Sequence, residues 1–143
     1  MNRLVFLVGS IFFLFFGVKQ QAIAQSENLR SETFEADDIV GVWANSNNVM
    51  RVKIEKIGSH YFGKLVWLEK SLEPDGKPKL DKMNPDPKLR TVPFIGLRVM
   101  KDVKYRGDGV YGGGTLYDPE KGKTYGCKIT LVSADVAKIR GYI

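Results

Sequence analysis

Few side chains in this sequence are equipped for acid–base or nucleophilic chemistry. His60 is the only histidine, and it stands beside Ser59. Adjacent residues of a strand leave opposite faces, so these two do not make a Ser–His catalytic pair. Cys127 is the only cysteine, which excludes an internal disulfide. One Cys and one His fall short of the three or four such ligands that a zinc site needs. The expectation for Cys127 is a small buried apolar residue on a strand. Asp75, Asp81 and Asp86 carry oxygen atoms suited to calcium, but their spacing does not fit an EF-hand loop. Asp in such a run ordinarily caps turns by bonding backbone N–H groups. The residues therefore point away from an enzyme: no catalytic residue, no metal and no cofactor is expected.

Binding is the chemistry left. Trp67, Tyr117, Tyr125 and Tyr142 each join a large apolar ring to a polar tip. Together with Arg140 they could line a mouth where apolar walls meet a few polar anchors. Arg140 would pair with a carboxylate or phosphate head group. The expected ligand is a small hydrophobic or amphipathic molecule. A second candidate group lies in the long segment around Asn84-Pro85-Asp86-Pro87. Asp86 followed by Pro87 is a helix start, because Asp caps free N–H groups and Pro has none to waste. Pro93 stops that turn from lengthening. Asn84, Asp86 and Arg90 are expected to form a lid, with Arg90 near the end of one short helical turn.

These residues are positioned by strands. From Val49 to Ile57, Met50, Val52 and Ile54 alternate with Arg51, Lys53 and Glu55, the period-two pattern of a half-buried antiparallel strand. Asp38–Asn45, His60–Leu68, Phe94–Tyr105, Val110–Tyr117, Lys123–Val132 and Val136–Ile143 read the same way. On the third of these seven strands Tyr61, Gly63, Leu65 and Trp67 are expected to share a face. On the fourth, Leu97, Val99, Val103 and Tyr105 do so, with Lys101 interrupting. Turn signals separate the strands: Ser46-Asn47-Asn48, Gly58-Ser59, Gly107-Asp108-Gly109 and Asp118-Pro119-Glu120-Lys121-Gly122. The run Gly112-Gly113-Gly114 inside a strand marks a bulge or a close approach. Residues 69–93 form the one long connection. Seven short strands in succession make an all-β, antiparallel up-and-down meander, which must close as a barrel or fold as a sandwich, and the in-strand glycines favour a barrel.

The N-terminus reads as an export signal over residues 1–24. Arg3 is followed by an apolar run from Leu4 to Val18, too short to span a bilayer, and by Ala22-Ile23-Ala24, an A-x-A cleavage pattern. The exported chain would begin at Gln25 and be periplasmic or extracellular. Residues 25–37 are polar and read as a flexible arm, and 38–143 as the barrel domain. The formal charge is +6. The basic residues are scattered among acids along the sequence, with no basic stripe of the kind that binds nucleic acid. Contact with anionic lipid, polysaccharide or another part of the cell envelope fits this charge better. An interaction module of the envelope, without a small ligand, is the competing reading. Oligomeric state is left open.

Several motifs in fixed order resemble a family of exported bacterial proteins, domain of unknown function 2147. They are Gly41-Val42-Trp43, Gly63-Lys64-Leu65-Val66-Trp67-Leu68, Asp75-Gly76-Lys77-Pro78, Asn84-Pro85-Asp86-Pro87 with Leu89-Arg90, and Gly96-Leu97. Gly113-Gly114, Tyr117-Asp118-Pro119, Gly122-Lys123-Thr124-Tyr125 and Arg140-Gly141-Tyr142-Ile143 complete the set. The resemblance implies a lipocalin-like (calycin) barrel and brings no agreed activity. It implies that Gly41 and Trp43 are structural, with the Trp plugging the closed end. Members of that family run on past Arg-Gly-Tyr-Ile for about one more strand. Either this sequence is a fragment or its barrel lacks that strand, whose absence would leave Ile39–Asn45 and Val136–Ile143 as unpaired edges.

Overall fold

A computed structural model of the chain describes residues 3–8 and 32–143. The cleavage pattern at Ala22-Ile23-Ala24 and the arm from Gln25 to Ser31 lie outside the described residues. The strands are β1 (Arg3–Val8), β2 (Gly41–Asn45), β3 (Met50–Ile57), β4 (His60–Leu68), β5 (Arg98–Gly107), β6 (Val110–Asp118), β7 (Lys123–Ser133) and β8 (Val136–Tyr142). From β2 to β8 each strand pairs antiparallel with the next. This is the meander that the alternating pattern predicts.

The seven antiparallel strands by themselves leave β2 and β8 as edges, as expected, and in the full chain these edges are paired. β1 lies between them and closes the ring, running parallel to both. The reason is geometric. Seven antiparallel strands leave the first and last running the same way, so one inserted strand is either parallel to both or antiparallel to both. An odd meander therefore cannot be closed by a strand of mixed pairing.

The apolar sides of the strands converge on one core. Trp43, Ile54, Tyr61, Met100, Val103, Tyr111, Cys127, Ile129, Leu131, Ala137 and Ile139 are buried together. Each such large side chain withdrawn from water is worth about 1.5–3 kcal/mol. Leu65, Phe94 and Val99 form a second cluster at the other end, packed against Met50, Val52, Leu68 and Leu97. Cys127 is fully buried, as its type suggests, and burial pushes its thiol up to about 12.

Irregularities keep the faces in phase. Asp102 adopts a left-handed φ of 55°. This bulge lets Lys101 face out opposite Thr115 while Val103 and Tyr105 still face in opposite Tyr61 and Tyr111. The glycine run of β6 answers it. Gly113 is an exposed bulge residue with φ 77°, and Gly114 abuts the backbone of Lys101–Val103, where no Cβ fits.

The closed end is plugged by residues 34–40. These include part of the segment expected to be a flexible arm, so that expectation is corrected for Phe34–Asp37. The Trp43 indole donates to the Ile39 carbonyl at 2.7 Å. Tyr105 donates to the Phe34 carbonyl at 2.6 Å, Tyr111 to the Ala36 carbonyl at 3.0 Å and Tyr61 to Asp37 Oδ1 at 2.7 Å. The rings of Tyr61 and Tyr111 meet edge to face at 5.4 Å, an arrangement worth about 0.5–1.5 kcal/mol beyond burial. Polar composition hid this docking, because only Ile39, fully buried in the core, and Phe34, packed against it, anchor the plug by apolar contact, and backbone carbonyls and one carboxylate do the rest.

Candidate functional site at the barrel mouth

At the end opposite the plug, the connection between β4 and β5 rejoins the barrel beside β4. Gly96 N–H donates to the Leu65 carbonyl at 2.7 Å, and Leu65 N–H donates to Leu97 at 2.9 Å. Phe94 is buried beneath this segment. Phe94–Leu97 thus runs beside β4 as part of the wall at this end, with Phe94 packed on Leu65 and Val99.

Asn84, Asp86 and Arg90, expected to form a lid, instead brace the loop against itself and the rim. Asp86 caps Lys88 N–H at 3.0 Å, starting a single 3-10 turn at Pro87–Leu89 with Arg90 as its C-cap. That turn is the one the Asp-Pro signal predicts. Asn84 accepts from Asp86 N–H at 2.9 Å, and the Arg90 Nε donates to the Asn84 carbonyl at 2.8 Å. The Asn84 side-chain amide in turn donates to Asp81 Oδ2 at 2.7 Å.

Asp81 is the centre of this brace and was missed as such. It is fully buried, and its other oxygen accepts from the Tyr117 hydroxyl at 2.7 Å. Burial, and then this bond, raise the Tyr117 phenol well above its ordinary value. The loop also presses Met83 against Gly122, whose φ of 64° and lack of side chain admit the Met83 carbonyl. Asp75 accepts from Lys77 N–H at 3.0 Å in its own turn. The three aspartates therefore each accept hydrogen bonds from protein donors, Asp75 and Asp86 from nearby backbone and Asp81 from Asn84 and Tyr117. Among the described residues no group of three His, Cys, Asp or Glu side chains converges on one point.

The register decides which of the predicted ligand residues face the interior. Leu116 pairs with both Met100 and Tyr125, and Cys127 with Gly141, so Leu116, Tyr125 and Gly141 point inwards. Met50 and Val52 do so from β3, opposite Leu68 and Leu65. These residues are half-buried, whereas the inward positions nearer the plug are filled. They form an apolar ring around the mouth, of which only Tyr125 was among the residues singled out.

Four expectations for the mouth are corrected. A bulge between Arg51 and Val52 shifts the register, so Trp67 pairs with Arg51 on the outer face; the Arg51 guanidinium lies over its ring at 4.7 Å. Tyr117 pairs with Thr124, on the outer side of the rim, where it serves Asp81. Arg140 pairs with Lys128 on the outer wall. Tyr142 lays its ring over Gly126, also outside, leaving no room there for a Cβ. A bulge accounts for Trp67, whereas Arg140 and Tyr142 alternate regularly with the inward Ala137, Ile139 and Gly141, so the alternation of β8 itself puts them outside.

His60 Nδ1 lies 3.6 Å from Asp102 Oδ1 at the outer edge of β4 and β5. An open surface depression of about 740 Å³ lies near the plug, lined by Asp37, Val40, Gly41 and residues 53–57. None of the predicted ligand residues borders it.

The comparison with known structures finds a similar fold in a protein of Helicobacter pylori. It is described as "Protein HP1028 from the human pathogen Helicobacter pylori belongs to the lipocalin family". The match has 28% identity and a TM-score of 0.51, and covers 59% of this chain and 55% of that one. The chain thus spans about half the length of the structure it resembles. No curated protein matches it. The family model described as "Uncharacterized protein conserved in bacteria (DUF2147)" matches residues 41–143. With its closed-end tryptophan, seven-strand meander and the order of its motifs, the chain belongs to the DUF2147 family and has a lipocalin-like all-β fold.

Proposed function

We propose that this is an exported binding protein that takes a small apolar or amphipathic molecule into the mouth of its barrel. The observation that carries the reading is the half-buried inward ring of Met50, Val52, Leu116 and Tyr125 above a filled floor. The exported form would keep the seven strands β2 to β8, close in size to an eight-stranded barrel, whose interior has room for its own side chains or for one small ligand. Here the side chains occupy the closed half, so a ligand would enter only the open half, against Phe94–Leu97. Lipocalin-like barrels are generally associated with small hydrophobic ligands, and the neighbour is described as a lipocalin. Removal of residues 1–24 on export would give the working form.

The test is titration of the exported chain with an apolar fluorescent probe such as 1-anilinonaphthalene-8-sulfonate, together with native mass spectrometry for a co-purifying molecule. Leu116→Arg should weaken probe binding at least tenfold, while Leu72→Ala in the exposed long loop should leave it within twofold. Equal loss in both variants, or none in Leu116→Arg, would refute a site in the mouth.

The β2–β8 seam supports a second reading, a module of the envelope that binds protein. The seam holds a strand over the register Leu4–Val8 against Val136–Arg140. Once the export segment is removed, the same edges would accept an extended segment from a partner, since an exposed edge is a template for pairing. Concentration-dependent dimerisation of the chain beginning at Gln25, but not of the full chain, would favour it.

A further inference from the structure

Charge is segregated in the folded molecule in a way that the linear order conceals. Strands β2 to β8 carry twelve Lys and Arg against three Asp and Glu. Their connections, from residue 32 on, carry seven against twelve. The inward positions of the strands are apolar, so most of these cations stand on the outer wall.

The pairing register places them side by side. Lys53 is opposite Lys64, and Lys64 is opposite Arg98, a row across β3, β4 and β5. On the other side Lys104 is opposite Gly112, Gly112 opposite Lys128, and Lys128 opposite Arg140, a row across β5 to β8 interrupted only by a glycine. Strands lie about 4.8 Å apart, so neighbouring charges in a row are separated by about that distance, or about twice it across Gly112. Like charges directly opposite on a sheet destabilise it. Among the described residues, Lys64, Arg98, Lys104, Lys128 and Arg140 have no carboxylate within 4.0 Å. Glu55, which bonds to Lys53 at 2.9 Å, is the carboxylate beside the first row. The hydrogen bond from Lys53, and then the charges of Lys64 and Arg98, hold it below the ordinary range. The rows are thus a standing repulsion that an anion would relieve.

Two aromatic rings stand among these charges. Arg98 lies over Phe62 at 4.9 Å, which orients its guanidinium along the wall. Trp67 is 37% exposed, with Arg51 on the ring. A flat, partly exposed indole stacks well on the C–H face of a sugar ring, and ammonium and guanidinium groups pair with its acidic substituents.

We propose that the outer wall of the barrel binds a linear acidic polysaccharide along the rows Lys53–Lys64–Arg98 and Lys104–Lys128–Arg140, with Trp67 as a stacking platform. The rows follow the curve of the wall, so a plane such as a bilayer surface meets one row at a time, whereas a flexible chain can follow both. The rows use residues apart from the mouth, so this site stands or falls independently of the ligand reading.

The experiment measures binding of the purified chain to polygalacturonate and dextran sulfate across a salt series, with neutral dextran as control. Phosphatidylglycerol vesicles and a single-stranded oligonucleotide are the competing polyanions. Lys64→Glu with Lys128→Glu should weaken polysaccharide binding at least tenfold and flatten the salt dependence by about one unit of slope for each cation removed. Lys70→Glu with Lys88→Glu makes the same change of net charge in the long loop and should stay within twofold. Trp67→Ala should weaken binding with the salt slope unchanged. Thermal melts confirm folding, and Lys64→Gln with Lys128→Gln serves should the reversals fail to fold. Equal loss in wall and loop variants, or tighter binding to vesicles or oligonucleotide than to either polysaccharide, would overturn the proposal.

Discussion

The Tyr117 hydroxyl donates a 2.7 Å hydrogen bond to Asp81, a carboxylate with no exposed surface, and so fastens the long loop to the rim of β6. Asp81 is otherwise held by Asn84 and by its backbone bond to Val92. A buried carboxylate is stable only with its partners in place. Tyr117→Phe removes one partner and is expected to cost about 1–3 kcal/mol, the range for stranding a buried acceptor. Hydrogen exchange should show faster opening of residues 79–94 than of the strands. Slowed or unchanged exchange in that loop would contradict the role.

Alkali should unfold the protein through its tyrosines. Burial raises the phenols of Tyr61, Tyr111 and Tyr117 above the ordinary 10.0. A group whose pKa is higher folded than unfolded contributes stability in full below its unfolded value and loses it as pH rises towards the folded one. Stability should therefore fall progressively above about pH 10. Tyrosinate absorbance should show three of the six tyrosines titrating only as the circular dichroism of the barrel is lost.

At the acid end the relevant pair is Asp37 and Lys56, 2.8 Å apart at the plug. Hydrogen bonds from Lys56 and then Tyr61 hold the Asp37 carboxyl below its ordinary 3.8. Here the sign reverses: the contribution is complete above 3.8 and disappears as pH falls through the lowered value. Asp37→Asn should make the plug's stability insensitive to pH in that window. Exchange of the Phe34–Ile39 amides, followed from pH 5 to pH 2, checks it.

The two tryptophans should respond oppositely to a quencher. Trp43 is 1% exposed and Trp67 37%. Acrylamide should quench most of the accessible emission in the native chain, and Trp67→Phe should leave a fluorophore that is protected until unfolding. Protection of Trp67 to the same degree as Trp43 would place it inside after all.

The thiol of Cys127 should be silent. Fully buried and raised to about 12, it has almost no thiolate at neutral pH. Reaction with a disulfide reagent should proceed only at the rate of unfolding. Rapid labelling of the native chain would mean that β7 opens locally.

Much of the fold was legible in the residues. Alternation in Met50–Ile57, turn pairs such as Asp108-Gly109, and the Asp86-Pro87 helix start each act over a few neighbours, so local chemistry was enough to set them. The strand order followed, because consecutive strands joined by tight turns have little choice but to pair. The Gly-x-Trp motif and the order of the later motifs carried the family.

What tertiary structure alone decided is which face each side chain presents, and beside what. A single extra residue at a bulge moved Trp67 from the interior to the outer wall, and no periodicity marks the bulge because the sequence there remains apolar on both faces. Asp81 became a brace only when Tyr117, 36 residues later, arrived beside it. Lysines scattered along the chain became rows because pairing joins residues distant in sequence. Alternation is a property of neighbours along the chain, whereas register, burial and charge proximity are properties of neighbours in space.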